Sequence, residues 1–205
     1  MHTAELAFDL PQTSPWVPPA LPSLRDVDTL ALDVETDGLR WWAGDRPIGI
    51  AVAWEGQDPL YLPWGHHGGG NLDESVVRRW AQTELRGKHI VNLNTKFDIH
   101  MLRVWGVDLE AQGNTVEDVA HSAALLDDSR QRFSLDRLAQ DFLGVEKVGK
   151  ELDATRMASY HAGIVAPRAH GDVAHVLALR SHFAPLLQRD DLTRVQALEN
   201  RVIYV

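Results

Sequence analysis

Cysteine is absent from the 205-residue chain. Disulfide frameworks, thiolate zinc sites and cysteine nucleophiles are therefore excluded together, and a reducing cytoplasm is compatible with the sequence. No apolar run approaches the length of a membrane span, and the N-terminus lacks the basic-then-apolar pattern of a secretory signal. Positive charge is also scarce: 20 Lys and Arg against 29 Asp and Glu give a net charge of −9. That balance argues against a protein that coats duplex nucleic acid. It leaves room for an enzyme that takes a strand end through bound cations, which invert the local field. There is no internal repeat and no low-complexity tract beyond a proline-rich start. What is present, 44% hydrophobic and 24% charged residues, is the composition of one soluble globular domain.

Pro11, Pro15, Pro18, Pro19 and Pro22 make residues 1–27 an extended arm lying along the domain. From there the chain reads as strands at about 29–35, 47–54, 59–63 and 88–93, the first three forming a meander with a turn at 55–58. His66-His67-Gly68-Gly69-Gly70 reads as an exposed loop. Helical spacing of Leu72, Val76, Val77, Trp80 and Leu85 predicts a helix over 72–86, and Phe97, Met101, Leu102 and Trp105 predict another over 95–105. Further helices are expected at 115–127, 134–143 and 170–187, where Pro185 kinks or ends the last, and a final one from about 191. Strands in a meander, then strand–helix units, then helices alone indicate an α/β domain with a mixed sheet.

Three segments with acidic residues stand out. In Thr29-Leu-Ala-Leu-Asp-Val-Glu-Thr-Asp-Gly-Leu39, Asp33 and Glu35 share one face of an apolar strand. Two carboxylates on a buried face repel unless one is neutral or a cation lies between them, and Mg²⁺ or Mn²⁺ suits oxygen ligands. The plainer reading is a strand that ends at the surface beside the Asp37-Gly38 turn. Asn94-Thr-Lys-Phe-Asp98 lies where a strand passes into a helix, a usual place for ligand-handling residues. Thr95 to Asp98 equally fits a capping box. Asp172 opens the helix expected at 170–187, where an acid ordinarily serves the helix dipole.

Taken together these segments resemble the proofreading 3′–5′ exonuclease domain of family A DNA polymerases, an RNase H-like fold of the DEDD exonuclease superfamily. Leu32-Asp33-Val34-Glu35-Thr36-Asp37-Gly38-Leu39 resembles the first motif, Asn94–Asp98 the second, and Asp172 with its apolar helix the third. Glu117–Asp127 and Phe133–Ala139 resemble two helical stretches between motifs two and three, and Tyr61-Leu-Pro63 fits a strand end. The resemblance implies a mixed five-stranded sheet, an antiparallel meander plus parallel strands, flanked by helices. It divides the chain into the arm at 1–27, an exonuclease domain at 28–190 and a C-terminal helix at 191–205 similar to the connector into a polymerase domain.

The family implies that Asp33, Glu35, Asp98 and Asp172 are catalytic and hold two divalent ions, Mg²⁺ or Mn²⁺, around a scissile phosphate. Nucleoside 5′-monophosphates would leave a single-stranded DNA 3′ end, with proofreading for a DNA polymerase domain or subunit, fused or separate. Leu39, Asn94, Thr36 and Arg168 would contact substrate. A cytoplasmic site of action, in a bacterium or encoded by a bacteriophage, and no membrane partner follow. One position departs from the pattern: the family places a tyrosine four residues before the last aspartate, or a histidine five before. Here Arg168 and Pro167 stand there, and arginine does not act as a base. His170 and His175 are the nearby groups able to orient water. Two other readings stay open: an exonuclease-like domain with little activity that serves as a structural or strand-binding module, and an RNase D-like exoribonuclease. Arg130, Arg132, Lys147 and Lys150 could line a strand path or be solvated.

Overall fold

The computed structural model describes residues 20–205. Of the proline-rich arm, 1–19 lie outside the described residues, while residues 20–27 lead into the first strand. Leu24 is buried in the core, its amide donates to Glu84 Oε2 at 2.6 Å, and Lys88 Nζ donates to its carbonyl at 2.7 Å.

One sheet contains β1 (Thr29–Thr36), β2 (Pro47–Ala53), β3 (Leu60–Pro63), β4 (His89–Asn92) and β5 (Thr115–Asp118), in the order β3-β2-β1-β4-β5. β1 to β3 form the antiparallel meander, and β4 and β5 extend it in parallel on the other side of β1. The helices are α1 (Glu74–Glu84), α2 (Thr95–Trp105), α3 (Val119–Leu126), α4 (Leu135–Leu138), α5 (Ala162–Arg189) and α6 (Thr193–Val202). A π-helical turn (Ala139–Leu143) prolongs α4. Each face of β1 enters a different core. Leu30, Leu32 and Val34 pack with residues of α1 and α2, whereas Ala31 packs with Ala51, Ala53 and residues of α3 and α5. A central strand buried on both faces needs this run of apolar residues.

Several sequence expectations are corrected. Residues 115–127 are not one helix: Thr115–Asp118 pair with β4 as the fifth strand, and α3 follows without a turn. Asp118 serves both elements, since its Oδ1 caps α3 by accepting the Ala120 amide at 2.9 Å. Four residues are too few for an alternation to declare itself. α5 begins eight residues before 170, so Asp172 lies well inside it, not in its first turn. Its N-cap is His161, which accepts the Gly163 amide at 3.1 Å, a residue outside the usual capping set. Pro185 does not end α5, which runs on to Arg189 because burial of its stripe outweighs local propensity. Val76 is exposed rather than part of the core, and His66 is buried rather than on an open loop, bonded through Nε2 to the Tyr61 hydroxyl at 2.7 Å.

The C-terminal α6 is tied to the sheet edge through Glu117. This buried carboxylate pairs with His89 and Arg180, each at 3.0 Å, and accepts from Gln196 Nε2 at 3.1 Å. Removing it leaves several partly buried donors unmatched. Glu117→Ala is expected to lower the unfolding free energy by about 2 kcal/mol, read as a shift of the urea midpoint; an unchanged midpoint would show that the network contributes nothing.

Candidate metal centre

Asp33 and Glu35 lie opposite Ala51 and Gly49 of β2. Gly49 makes room for the Tyr61 ring, whose hydroxyl a side-chain carbon there would strike. The buried stripe of α5 is also built from small residues where it crosses the sheet: Ala162, Ala166 and Ala169 precede Asp172, and Val173 and Val176 follow. Helix and sheet therefore approach closely, and Asp172 sits in an otherwise apolar stripe. Ligand oxygens of Asp33, Glu35 and Asp172 all lie within 4.8 Å of one another.

Asp98 enters from α2. Asn94, before that helix, has φ 64° and ψ 39°, a left-handed conformation that asparagine tolerates. The capping-box expectation is not met: Asn94 makes no side-chain cap bond, and the Thr95 amide donates instead to Asp118 Oδ2 at 2.9 Å. Asp98 is thus free to turn inward, where Asn92 Nδ2 donates to its Oδ2. Asp33, Asp98 and Asp172 line a common cavity of about 250 Å³, together with Asn92, Asn94, Phe97, Ser134 and Lys147.

Burial and mutual repulsion raise the proton affinity of Asp33, Glu35 and Asp98. For Asp33, burial acts first, then the charges of Asp172 and Glu35. Asp98 is raised by burial and then by Asp33. Burial pushes Glu35 up to about 7 against the pull of Arg168. Two cations temper the cluster. Lys147 Nζ lies 2.6 Å from Asp172 Oδ2, and Arg168 Nε lies 3.7 Å from Glu35 Oε1. Asp172 Oδ1 is buried with no hydrogen-bond partner. Hard oxygen donors, one of them unmatched, in a cavity with excess negative charge fit divalent Mg²⁺ or Mn²⁺.

The residues singled out in the sequence are distributed as follows. Asp33, Glu35 and Asp172 come together, and Asp98 and Asn94 face the same cavity. Arg168 faces Glu35, Thr36 is buried at the irregular end of β1, and Leu39 is exposed in the following loop. His170 and His175 do not line the cavity; burial lowers the proton affinity of both, and each keeps one unpartnered ring nitrogen. Lys147 was legible only as a possible strand contact. Its scarcity was the available signal, since the chain has four lysines. Of the other basic residues, Arg130 pairs with Asp141 at 2.9 Å and Lys150 with Asp136 at 3.1 Å.

A family model described as 3′–5′ exonuclease, of the DNA polymerase A type, matches residues 19–188. The chain belongs to this exonuclease family. DNA polymerase DpoZ of Salmonella phage PMBT28 is 34% identical over 129 residues, covering 62% of the chain and 19% of the polymerase. DpoZ of Acinetobacter phage SH-Ab 15497 is 28% identical over 205 residues, 89% of the chain and 30% of the polymerase. The exonuclease chain thus spans less than a third of the length of these relatives. Among solved structures, Brucella melitensis NrnC with bound Mg²⁺ superimposes with a TM-score of 0.66 at 18% identity, covering 89% of this chain and 86% of that one. The catalytic core of Trypanosoma brucei RRP6 gives 0.58 at 13%, covering 88% and 47%. Both share the RNase H-like fold. Among the described residues no helix is long and apolar enough to cross a membrane.

An acid that holds its proton more tightly folded than unfolded stabilises the fold at low pH and loses that contribution as pH rises through its folded value. Glu35 should therefore stabilise the metal-free exonuclease below about 4.5 and lose the effect by about 7. His66, which burial pushes down to about 4, acts in the opposite sense, so the comparison must isolate the carboxyl. The stability difference between wild type and Glu35→Gln is expected to fall steadily across that window in urea titrations with chelator present. A difference that stays flat or rises would contradict the assigned environment of Glu35.

Proposed function

We propose that the chain is a metal-dependent 3′–5′ exonuclease that removes nucleoside 5′-monophosphates from single-stranded DNA ends, serving as the proofreading module of a phage-encoded polymerase acting in the cytoplasm of its host. The observation that carries this is the group of three carboxylates within 4.8 Å on β1 and α5, with Asp98 lining the same cavity. The likeness to two phage polymerases supports the biological setting. On this reading the exonuclease domain covers 28–190, the arm precedes it and the helix at 191–205 leads towards the polymerase.

Asp33, Glu35, Asp98 and Asp172 would hold the two divalent ions, which when bound supply an activated water and charge stabilisation for the departing 3′ oxygen. The chain's own residues do the rest. Asn94 and Thr36 orient the terminal nucleotide, and Leu39 offers apolar contact to its base. Lys147, seated on Asp172 Oδ2, would be displaced from it by bound cations and would then meet a phosphate oxygen. Arg168, with its guanidinium against Glu35, holds positive charge where the family carries a tyrosine. Among the described residues no imidazole or phenol lines the cavity, so proton acceptance there falls to carboxylates and water.

That last point favours a second reading, a strand-binding module with slow catalysis, because the Arg168–Glu35 and Lys147–Asp172 pairs compete with metal for the same oxygens. A 5′-labelled single strand incubated with Mg²⁺ or Mn²⁺ distinguishes them. We expect stepwise shortening from the 3′ end, lowered at least about a hundredfold in Asp33→Ala and Asp172→Ala, and abolished by chelator. Retained binding without shortening would support the module, and faster degradation of matched RNA would transfer the activity to RNA. Independently of turnover, Mn²⁺ at about a hundred times its dissociation constant should raise stability by about 2.7 kcal/mol. Lys147→Met should bind Mn²⁺ more tightly than wild type by calorimetry; weaker binding would show that the lysine supports the site rather than competing with it.

A further inference from the structure

The loop between β1 and β2 presents apolar side chains to solvent. Leu39 is 59% exposed and Trp42 is 68% exposed, and among the described residues Trp42 is the exposed large aromatic. A tryptophan left in water forgoes a large burial gain, which a ligand stacked on its ring would recover. The loop is firmly built. Asp37 Oδ1 accepts the Arg46 amide at 2.6 Å, and Asp45 Oδ2 accepts the Arg40 amide at 2.7 Å. Asp45 carboxylate atoms also occupy the space that a side chain at Gly38 would fill.

Trp42 is continuous with the cavity. Its ring meets Trp41 edge to face with centroids 4.6 Å apart, and Trp41 stacks on His100 at 4.5 Å with planes 3° apart. Trp41 also touches Phe97 at 6.1 Å, and Phe97 lines the cavity wall. An aromatic series therefore runs from the acidic group outward to a free ring. In a chain of net charge −9, with Arg130 and Lys150 engaged in ion pairs, the surface outside the cavity offers little attraction to phosphate. Stacking on aromatic faces supplies strand affinity without basic residues and without sequence preference.

We propose that Trp42 is a stacking platform for the base of an internal nucleotide of the single strand whose 3′ end lies in the acidic cavity. The proposal rests on the nuclease reading above. Its test uses the full chain and an oligothymidylate whose 3′-terminal linkages are phosphorothioates, so that it binds without being degraded. Fluorescence anisotropy in Mg²⁺ is expected to show about tenfold weaker binding by Trp42→Ala, largely restored in Trp42→Phe. An abasic nucleotide walked along the strand should weaken binding by wild type at one internal position and have no further effect there in Trp42→Ala, the signature of a direct contact. Equal affinity of wild type and Trp42→Ala would overturn the platform and point to a protein neighbour for this loop, as would an abasic profile identical in the two proteins. Ordinary oligothymidylate run in parallel separates the two claims: if wild type degrades it while Trp42→Ala binds normally, only the platform fails; if wild type neither binds nor degrades it, the nuclease reading fails and takes the platform with it.

Discussion

Four carboxyl groups drawn into one buried space set the terms for the rest of the molecule. Asp33, Glu35 and Asp172 have oxygens within 4.8 Å of one another and Asp98 lines the same cavity, while Lys147 and Arg168 bring two positive charges. Negative charge is left over, and burial makes each surplus charge costly. The surrounding architecture holds the acids in place against that repulsion. β1 is fixed between β2 and β4, α5 is anchored by a buried stripe extending from Ala162 to Leu187, and the Asn92 amide restrains Asp98. A site built against its own electrostatics is what a cation-binding centre requires, because the same repulsion becomes attraction when the ions arrive.

The lysine and arginine give the site a character of its own. Loop residues 144–153 run against α5, with Gly149 so close to Arg168 that a side-chain carbon there would sit 2.8 Å from Arg168 Cβ. This contact delivers Lys147 to Asp172. The arrangement lowers the repulsion in the metal-free state and sets up a competition with metal.

Much of this was legible in the sequence, because strong local patterns and the global fold agree there. The apolar run around Asp33 and Glu35 marked a central strand, and the periodicity of Phe97, Met101, Leu102 and Trp105 marked α2 with its correct ends. The failures share a cause in tertiary context. Thr115–Asp118 are a strand because β4 offers an edge to pair with, not because four residues prefer it. α5 runs through Pro167, Gly171 and Pro185 because the sheet buries one side of it, and that longer helix moves Asp172 from a helix start, where an acid is unremarkable, to an apolar stripe, where it requires explanation. Lys147 was hidden for the opposite reason: its loop has no periodic pattern, and only the fold shows that it crosses α5. The resemblance implies a base contact for Leu39, while the exposed Trp42 near it in sequence carries no local signal of its own.

The central claim is that the acidic group exists to bind divalent cations in exchange for its internal ion pairs. Diffraction from crystals soaked in Mn²⁺, with anomalous differences collected at the manganese edge, tests it most directly. The account predicts anomalous density in the cavity that Asp33 and Asp172 line, with Lys147 Nζ withdrawn from Asp172 Oδ2. An empty cavity at saturating Mn²⁺, with the lysine still seated on the aspartate, would contradict it.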